Sequence, residues 1–160
     1  MTIEVRKAEK SDAPKLLALV NALAEYEKLD PPTEEAQSRL IADGWPEAGP
    51  PRFEAWLAES STSDASQATP IGYAITFYTY SSFLARPTLY IEDIFVLPNS
   101  RRRGAGTALF NSLTSEAERK GCGRIEWVVL DWNTLAQEFY QKRGASHLQD
   151  WQYYRLTLPS

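Results

Sequence analysis

The run Leu89-Tyr90-Ile91-Glu92-Asp93-Ile94-Phe95-Val96-Leu97, then Pro98-Asn99-Ser100, then Arg101-Arg102-Arg103-Gly104-Ala105-Gly106, decides how this chain is read. Its first part is apolar, β-branched and aromatic, which predicts a buried strand. Pro98 breaks that strand, and the glycines open a turn into a helix predicted to run to about Lys120, with Leu109, Leu113 and Ala117 on one face. A Gly-rich turn lets consecutive backbone N–H groups point into one cavity. The helix behind it presents further N–H groups and a partial positive charge, which together suit a pyrophosphate. Arg101, Arg102 and Arg103 can add charge at the rim. Plain turn chemistry and a solvated Arg cluster are the competing readings. A dinucleotide fingerprint would want a third small residue where Leu109 stands, and no P-loop Lys-Ser/Thr follows.

Two adjacent acids, Glu92 and Asp93, are embedded in the strand. Neighbours in a strand point to opposite faces, so at least one of them must face the interior or a cleft. Burying an unpaired carboxylate is expensive, so that acid either meets a buried cation or lines a wet pocket. The alternative is a strand-edge acid in water, which the apolar flanks disfavour.

Outward from this segment, Thr2 to Lys7 alternates and predicts a first strand. Ser11 or Asp12 then caps a helix carrying Leu16, Leu19, Val20 and Leu23, with Pro14 in its first turn. Pro31-Pro32 ends that segment, and Thr33 caps a second helix with Glu34 and Glu35 at its start and Gly44 at its stop. Phe53 to Glu59 and Gly72 to Tyr80 are predicted strands joined by the hairpin loop Ser60 to Pro70. After the long helix, Ile125 to Leu130 predicts a strand. Asn133 caps a last helix with Leu135, Phe139 and Tyr140 that Gly144 ends, and Tyr153 to Leu158 predicts a closing strand. The order β-α-α-β-β-β-α-β-α-β is a mixed α/β layer architecture, read as a single domain over residues 1–160.

Composition bounds the function. At 160 residues and a formal net charge of −4, the chain has no basic footprint for nucleic acid or an anionic membrane, and it suits a cationic partner. The N-terminus carries no long apolar run, so a cytoplasmic location is expected. One Cys and one His exclude a disulfide framework and a Cys/His zinc site. Hydrolase chemistry would have to route through His147, and no Gly-x-Ser-x-Gly elbow accompanies it. Cys122 reads as a small half-buried thiol rather than a nucleophile.

The segments Ala24-Glu25-Tyr26-Glu27-Lys28-Leu29, Tyr90 to Val96, Arg101-x-x-Gly104-x-Gly106, Leu130-Asp131-Trp132-Asn133 and Phe139-Tyr140-x-x-Arg143-Gly144-Ala145 occur in this order. In that set the chain resembles the GNAT N-acetyltransferase superfamily. More closely, it is similar to the diamine (spermidine/spermine) and thialysine acetyltransferases. The likeness weakens at Pro46 to Pro51, at Ser60 to Pro70 and at the C-terminal segment. It implies a mostly antiparallel sheet flanked by helices, acetyl-CoA as co-substrate, no metal, and a homodimer. It implies that the backbone at Ile94, Phe95 and Val96 holds the pantetheine arm and thioester carbonyl. Arg101, Arg102, Arg103, Gly104, Ala105, Gly106 and Thr107 would cradle the pyrophosphate, with Asn133 and Arg143 also facing the cofactor. Tyr140 corresponds to the acid that protonates the departing thiolate, and Glu92 to the base that takes the ammonium proton. Tyr26, Glu27, Asp93 and Glu126, with Glu92, correspond to the amine pocket.

The resemblance implies a small cationic amine: a polyamine, short diamine, thialysine, or lysine- or ornithine-like amino acid. Where polyamine enzymes carry acids, this chain has Ser81-Ser82 and Gln152, which removes charge from the distal pocket. Protein or peptide N-acetylation and a non-catalytic acyl-CoA-binding domain are the alternatives. A nucleotide-binding oxidoreductase would want a regular βαβ repeat that is missing.

Overall fold

The alternation and helical spacing just described produce a five-stranded mixed sheet, and both of its faces find helices to cover them. In the computed structural model, which describes residues 1–64 and 66–160, the strands are β1 (Thr2–Lys7), β2 (Glu54–Ser61), β3 (Thr69–Ser81), β4 (Arg86–Val96) and β5 (Arg124–Trp127). The helices are α1 (Ala13–Glu27), α2 (Glu34–Gly44), α3 (Ala105–Arg119) and α4 (Thr134–Gln141), with short 3-10 turns at Lys10–Asp12 and Pro98–Ser100. The sheet runs β1-β2-β3-β4-β5 in space; the first three pairings are antiparallel and β4–β5 is parallel. The chain forms two compact units, Met1–Trp127, which holds the whole sheet, and Val128–Ser160, which holds α4.

The sheet of the first unit is covered on both faces. On one face Trp56, Ala58, Ile71, Ala74, Leu89 and Ile91 pack against Ala105, Leu109, Leu113 and Ala117 of α3. On the other, Leu16 and Leu19 of α1 pack against Ala55, Leu57, Tyr73, Ile75 and Phe95. Alternating residues of β2 serve the two cores in turn, as period-two geometry requires. Burying each such leucine contributes about 1.5–3 kcal/mol before entropy is counted.

The caps follow the predicted chemistry with one exception. Thr33 Oγ1 accepts the amide of Ala36 at 3.2 Å, and Asn133 Oδ1 accepts that of Ala136 at the same distance. Asp12 precedes α1 without capping it; its carboxylate takes Arg6 at 2.7 and 2.9 Å and the amide of Glu9 instead. Gly44 ends α2 beneath Phe53, whose ring would lie 2.7 Å from a Cβ there.

Two expected strands differ. The strand predicted from Ile125 to Leu130 stops at Trp127, and Val128 is exposed. The closing strand predicted over Tyr153 to Leu158 is not formed, and its tyrosines and leucines are exposed. A strand exists only through a ladder of bonds to a neighbour, and β-prone side chains do not supply one by themselves. The hairpin loop predicted over Ser60 to Pro70 is shortened, since β2 extends to Ser61 and β3 starts at Thr69; Ala65 lies outside the described residues.

Candidate active site

The two acids of β4 sit at a break in its ladder. Ile75 of β3 faces Asp93 and Thr76 faces Ile91, so Glu92 is an extra residue opposite nothing: a β-bulge. The bulge reverses the facing of everything after it. Leu89 and Ile91 belong to the α3-side core, and strict alternation would send Asp93 and Phe95 there too. Instead Phe95 packs with Tyr73 and Ile75 on the α1 side, while Ile94 and Val96 pack toward α3. One inserted residue thus turns Asp93 toward α1 and leaves Glu92 exposed.

The half-buried Asp93 accepts a hydrogen bond from the Tyr73 hydroxyl at 3.0 Å. Burial pushes the Asp93 carboxyl up to about 6, with Glu92 and Glu27 adding repulsion and the Tyr73 bond pulling the other way. Tyr73 is fully buried, and burial together with Asp93 holds its phenol far above the ordinary value, so it remains a donor. Burial also raises Glu27, at the end of α1. Glu27 and Glu92 therefore both bear electrostatically on Asp93. Glu126 is engaged differently: it pairs with Arg124 at 2.6 Å and lies opposite Tyr90 in the parallel ladder.

At the end of β4 the chain enters α3 through left-handed backbone at Arg102 (φ 61°) and Gly104 (φ 89°). A left-handed residue that is not glycine costs about 1 kcal/mol, and such turns aim amides into one concavity. A Cβ at Gly104 would meet nothing within 4 Å, so the space before the helix is open. The first-turn amides of Ala105 and Gly106 have no acceptor within the helix, no acidic residue occupies that turn, and Arg102, Arg103 and Thr107 are exposed. These features suit a pyrophosphate. Arg101 behaves differently from its neighbours. Its Nε donates to the Val96 carbonyl at 3.0 Å, and its guanidinium lies over the Tyr26 ring at 4.4 Å and near the Phe95 ring at 5.7 Å.

In the second unit, Tyr140 stands edge-on to Phe139 at 5.5 Å, and burial pushes its phenol up to about 12. Arg143 stacks on Phe139 at 3.4 Å and donates to the Phe139 carbonyl at 2.9 Å, closing the end of α4. Gln152 accepts from Tyr154.

The first unit therefore gathers Tyr26, Glu27, Glu92, Asp93, Ile94, Phe95, Val96 and the loop Arg101 to Thr107 around the end of β4, whereas Asn133, Tyr140 and Arg143 belong to the second. Two residues escaped the sequence reading. Tyr73 looked like any strand aromatic, because its partner is distant in the chain. Gly72 lies so close to β4 that a Cβ would approach the Phe95 carbonyl to 2.8 Å. Ser81, where polyamine enzymes were expected to carry an acid nearby, is buried and accepts the Leu84 amide at 3.1 Å in the β3–β4 turn. Among the described residues no group of three or more His, Cys, Asp or Glu side chains gathers to hold a metal, and no helix is long and apolar enough to cross a membrane.

The profile of the acetyltransferase (GNAT) family matches residues 20–145, spanning parts of both units. A thialysine N-epsilon-acetyltransferase of Bos taurus is 33% identical over 150 residues, covering 92% of this chain and 86% of its own length. An L-ornithine N5-acetyltransferase of Arabidopsis thaliana is 43% identical over 86 residues, covering 54% of this chain and 38% of its own. A spermidine/spermine N(1)-acetyltransferase-like protein of Homo sapiens is 28% identical over 158 residues, covering 96% of this chain and 22% of its own. Among solved structures, a probable acetyltransferase superposes with a TM-score of 0.79 at 16% identity, covering 98% of this chain and 99% of that one, which speaks to the fold. The chain belongs to the acetyltransferase (GNAT) family, whose members use acetyl-CoA as co-substrate.

Proposed function

We propose that this enzyme transfers acetyl from acetyl-CoA to a primary amine of a small cationic molecule, by direct attack in a ternary complex. The preferred substrates on this reading are thialysine, a lysine- or ornithine-like amino acid, or a short diamine. The observation that carries it is the gathering of three acids at the β4 bulge, Asp93 and Glu27 raised by burial and Glu92 exposed beside them, on the strand that leads into the anion-suited loop.

An alkylammonium titrates near ~10 and only its neutral form is nucleophilic. Glu92 takes the ammonium proton, directly or through water, and the acids around it hold the cation in place. The neutral nitrogen attacks the thioester carbonyl, the C–S bond breaks, and the thiolate takes a proton from Tyr140. A phenol held at about 12 is protonated at any working pH. Giving its proton to a thiolate of ~8.5 is uphill by about 5 kcal/mol, which is small against the ~8–23 kcal/mol that enzymes supply. A second reading makes Asp93 the base, favoured by the one observation that its proton affinity lies near neutrality.

The deciding experiment is a panel of thialysine, ornithine, short diamines, spermidine and N-terminal peptides, with acetyl-CoA and detection of released thiol. Turnover of the small amines in preference to peptides is expected. Turnover of peptides alone, or of none, overturns the reading. A homodimer is also proposed, supported by the exposed Trp151, Tyr153, Tyr154, Leu156 and Leu158 near the C-terminus. Light scattering that finds a fully active monomer at micromolar concentration would remove it.

A further inference from the structure

Arg101 opens the loop that suits pyrophosphate, yet its side chain is built into the protein on the other side. Three elements meet at it. Its Nε donates to the carbonyl of Val96, the last residue of β4. Its guanidinium lies over the ring of Tyr26, near the end of α1, with Cζ 4.4 Å from the centroid. The Phe95 ring lies 5.7 Å away and itself packs against Tyr26 at 5.8 Å and Tyr73 at 6.5 Å. A continuous series of contacts therefore runs from the first residue of the loop through Tyr26 and Phe95 to Tyr73, whose hydroxyl holds Asp93. Arg102 and Arg103, by contrast, are exposed beside the open space at Gly104.

We propose that Arg101 is a positioning residue that ties the cofactor loop to the amine pocket, setting the Tyr26–Glu27 end of α1 against β4. The inference rests on the reading above, in which the amine binds beside Tyr26 and Glu27. Its physical basis is the planar fork of arginine, which can stack on an aromatic face and hydrogen-bond a carbonyl at once. Lysine carries the same charge but neither shape, so Arg101→Lys separates a phosphate-charge role from a positioning role. A residue serving only the phosphate would alter acetyl-CoA affinity and leave the amine alone.

The test measures amine KM at saturating acetyl-CoA, with the fastest of thialysine, ornithine and spermidine, and acetyl-CoA Kd by calorimetry. Thermal melts of every variant check folding. Arg101→Lys is expected to raise amine KM by about tenfold while changing acetyl-CoA Kd less than threefold. In a Tyr26→Phe background, which keeps the ring, Arg101→Lys keeps that tenfold cost. In a Tyr26→Leu background the cost falls below about twofold, because the surface it stacks on is gone. An Arg101→Lys protein with parental amine KM overturns the proposal, as does an equal cost in the Leu and Phe backgrounds. Should Tyr26→Leu itself leave amine KM unchanged, or should no amine turn over, the pocket reading falls and takes this proposal with it. If Arg101→Lys does not fold, the Leu and Phe variants still decide: loss of amine affinity in Tyr26→Leu beyond that in Tyr26→Phe supports the stack, and equal affinities overturn it.

Discussion

Two groups of carboxylates in the first unit, Asp12, Glu59 and Glu116 in one and Asp93 with Glu27 in the other, shift in opposite directions. Near the start of the sheet, Asp12 and Glu59 surround Arg6 and Lys15, with contacts of 2.7–3.7 Å. Hydrogen bonds from Arg6 hold Asp12 well below the carboxylate range; burial pushes Glu59 up, but Lys15 and Arg6 outweigh it. Glu116 is similarly drawn down to about 2 by Arg119, with Lys7 assisting against burial. At the β4 bulge, Asp93 has a tyrosine hydroxyl and two other acids for company, and it rises to about 6. Burial alone does not distinguish these groups; the resident cation does. A carboxylate with its cation built in is part of the scaffold, and one whose neighbours are acids is set up to receive a cation from outside.

The strongest way to break this contrast is to neutralise the acid assigned to catalysis. Glu92→Gln and Tyr140→Phe are each expected to lower kcat by ~10²–10⁴-fold with little change in acetyl-CoA affinity. The Gln variant's deficit shrinks as pH rises toward the amine pKa. Near-parental kcat for both variants across pH 6 to 9 defeats the assignment, and a larger loss in Asp93→Asn than in Glu92→Gln moves the base to Asp93.

Next in size is the scaffold acid. Asp12→Asn leaves Arg6 and Lys15 with half their counter-charge and is expected to cost about 2–4 kcal/mol of stability with kcat unchanged. Urea melts and steady-state kinetics on the same preparation check this, and an activity loss without a stability loss reverses the division between the two groups.

Asp93→Asn is expected to do the opposite, raising stability at pH 8 by about 1–3 kcal/mol while weakening amine KM. The sign follows from linkage. The unfolded carboxyl titrates near 3.8 and the folded one at about 6, so between them the folded protein holds a proton the unfolded chain has lost. Asp93's contribution to stability therefore falls as pH rises through that interval. Glu116 contributes with the other sign: its stabilisation is present above 4.5 and is lost as pH falls toward 2. Denaturation midpoints from pH 3 to 8, compared between the parent and Asp93→Asn, isolate the first effect; a variant no more stable at pH 8 contradicts it.

The smallest effect sharpens the contrast. Tyr73→Phe removes the hydrogen bond that favours ionised Asp93, so the acid limb of the amine KM profile should move upward in pH by less than about one unit. An unmoved limb would mean that Tyr73 serves packing alone.

What could be read in the amino acids alone is whatever is local. Leu109, Leu113 and Ala117 repeat at helical spacing, and all three are buried. Thr33 and Asn133 cap the helices that follow them, and the glycine turn after β4 stands where the proline, arginines and glycines put it. Those signals survive because a cap or a period needs only neighbouring residues and the backbone they share. Only the tertiary structure decided the rest. That Glu92 is a bulge rather than one more alternating residue depends on how β4 pairs with β3, and no periodicity in β4 announces it. The same pairing turns Asp93 to the α1 side, where Tyr73 from a neighbouring strand meets it. The apolar, aromatic C-terminus shows the converse: Tyr153 to Leu158 has the composition of a strand and forms none. Strand composition is a property of one segment, whereas facing, bulges and pairing belong to two segments at once, joined by hydrogen bonds between residues far apart in the chain.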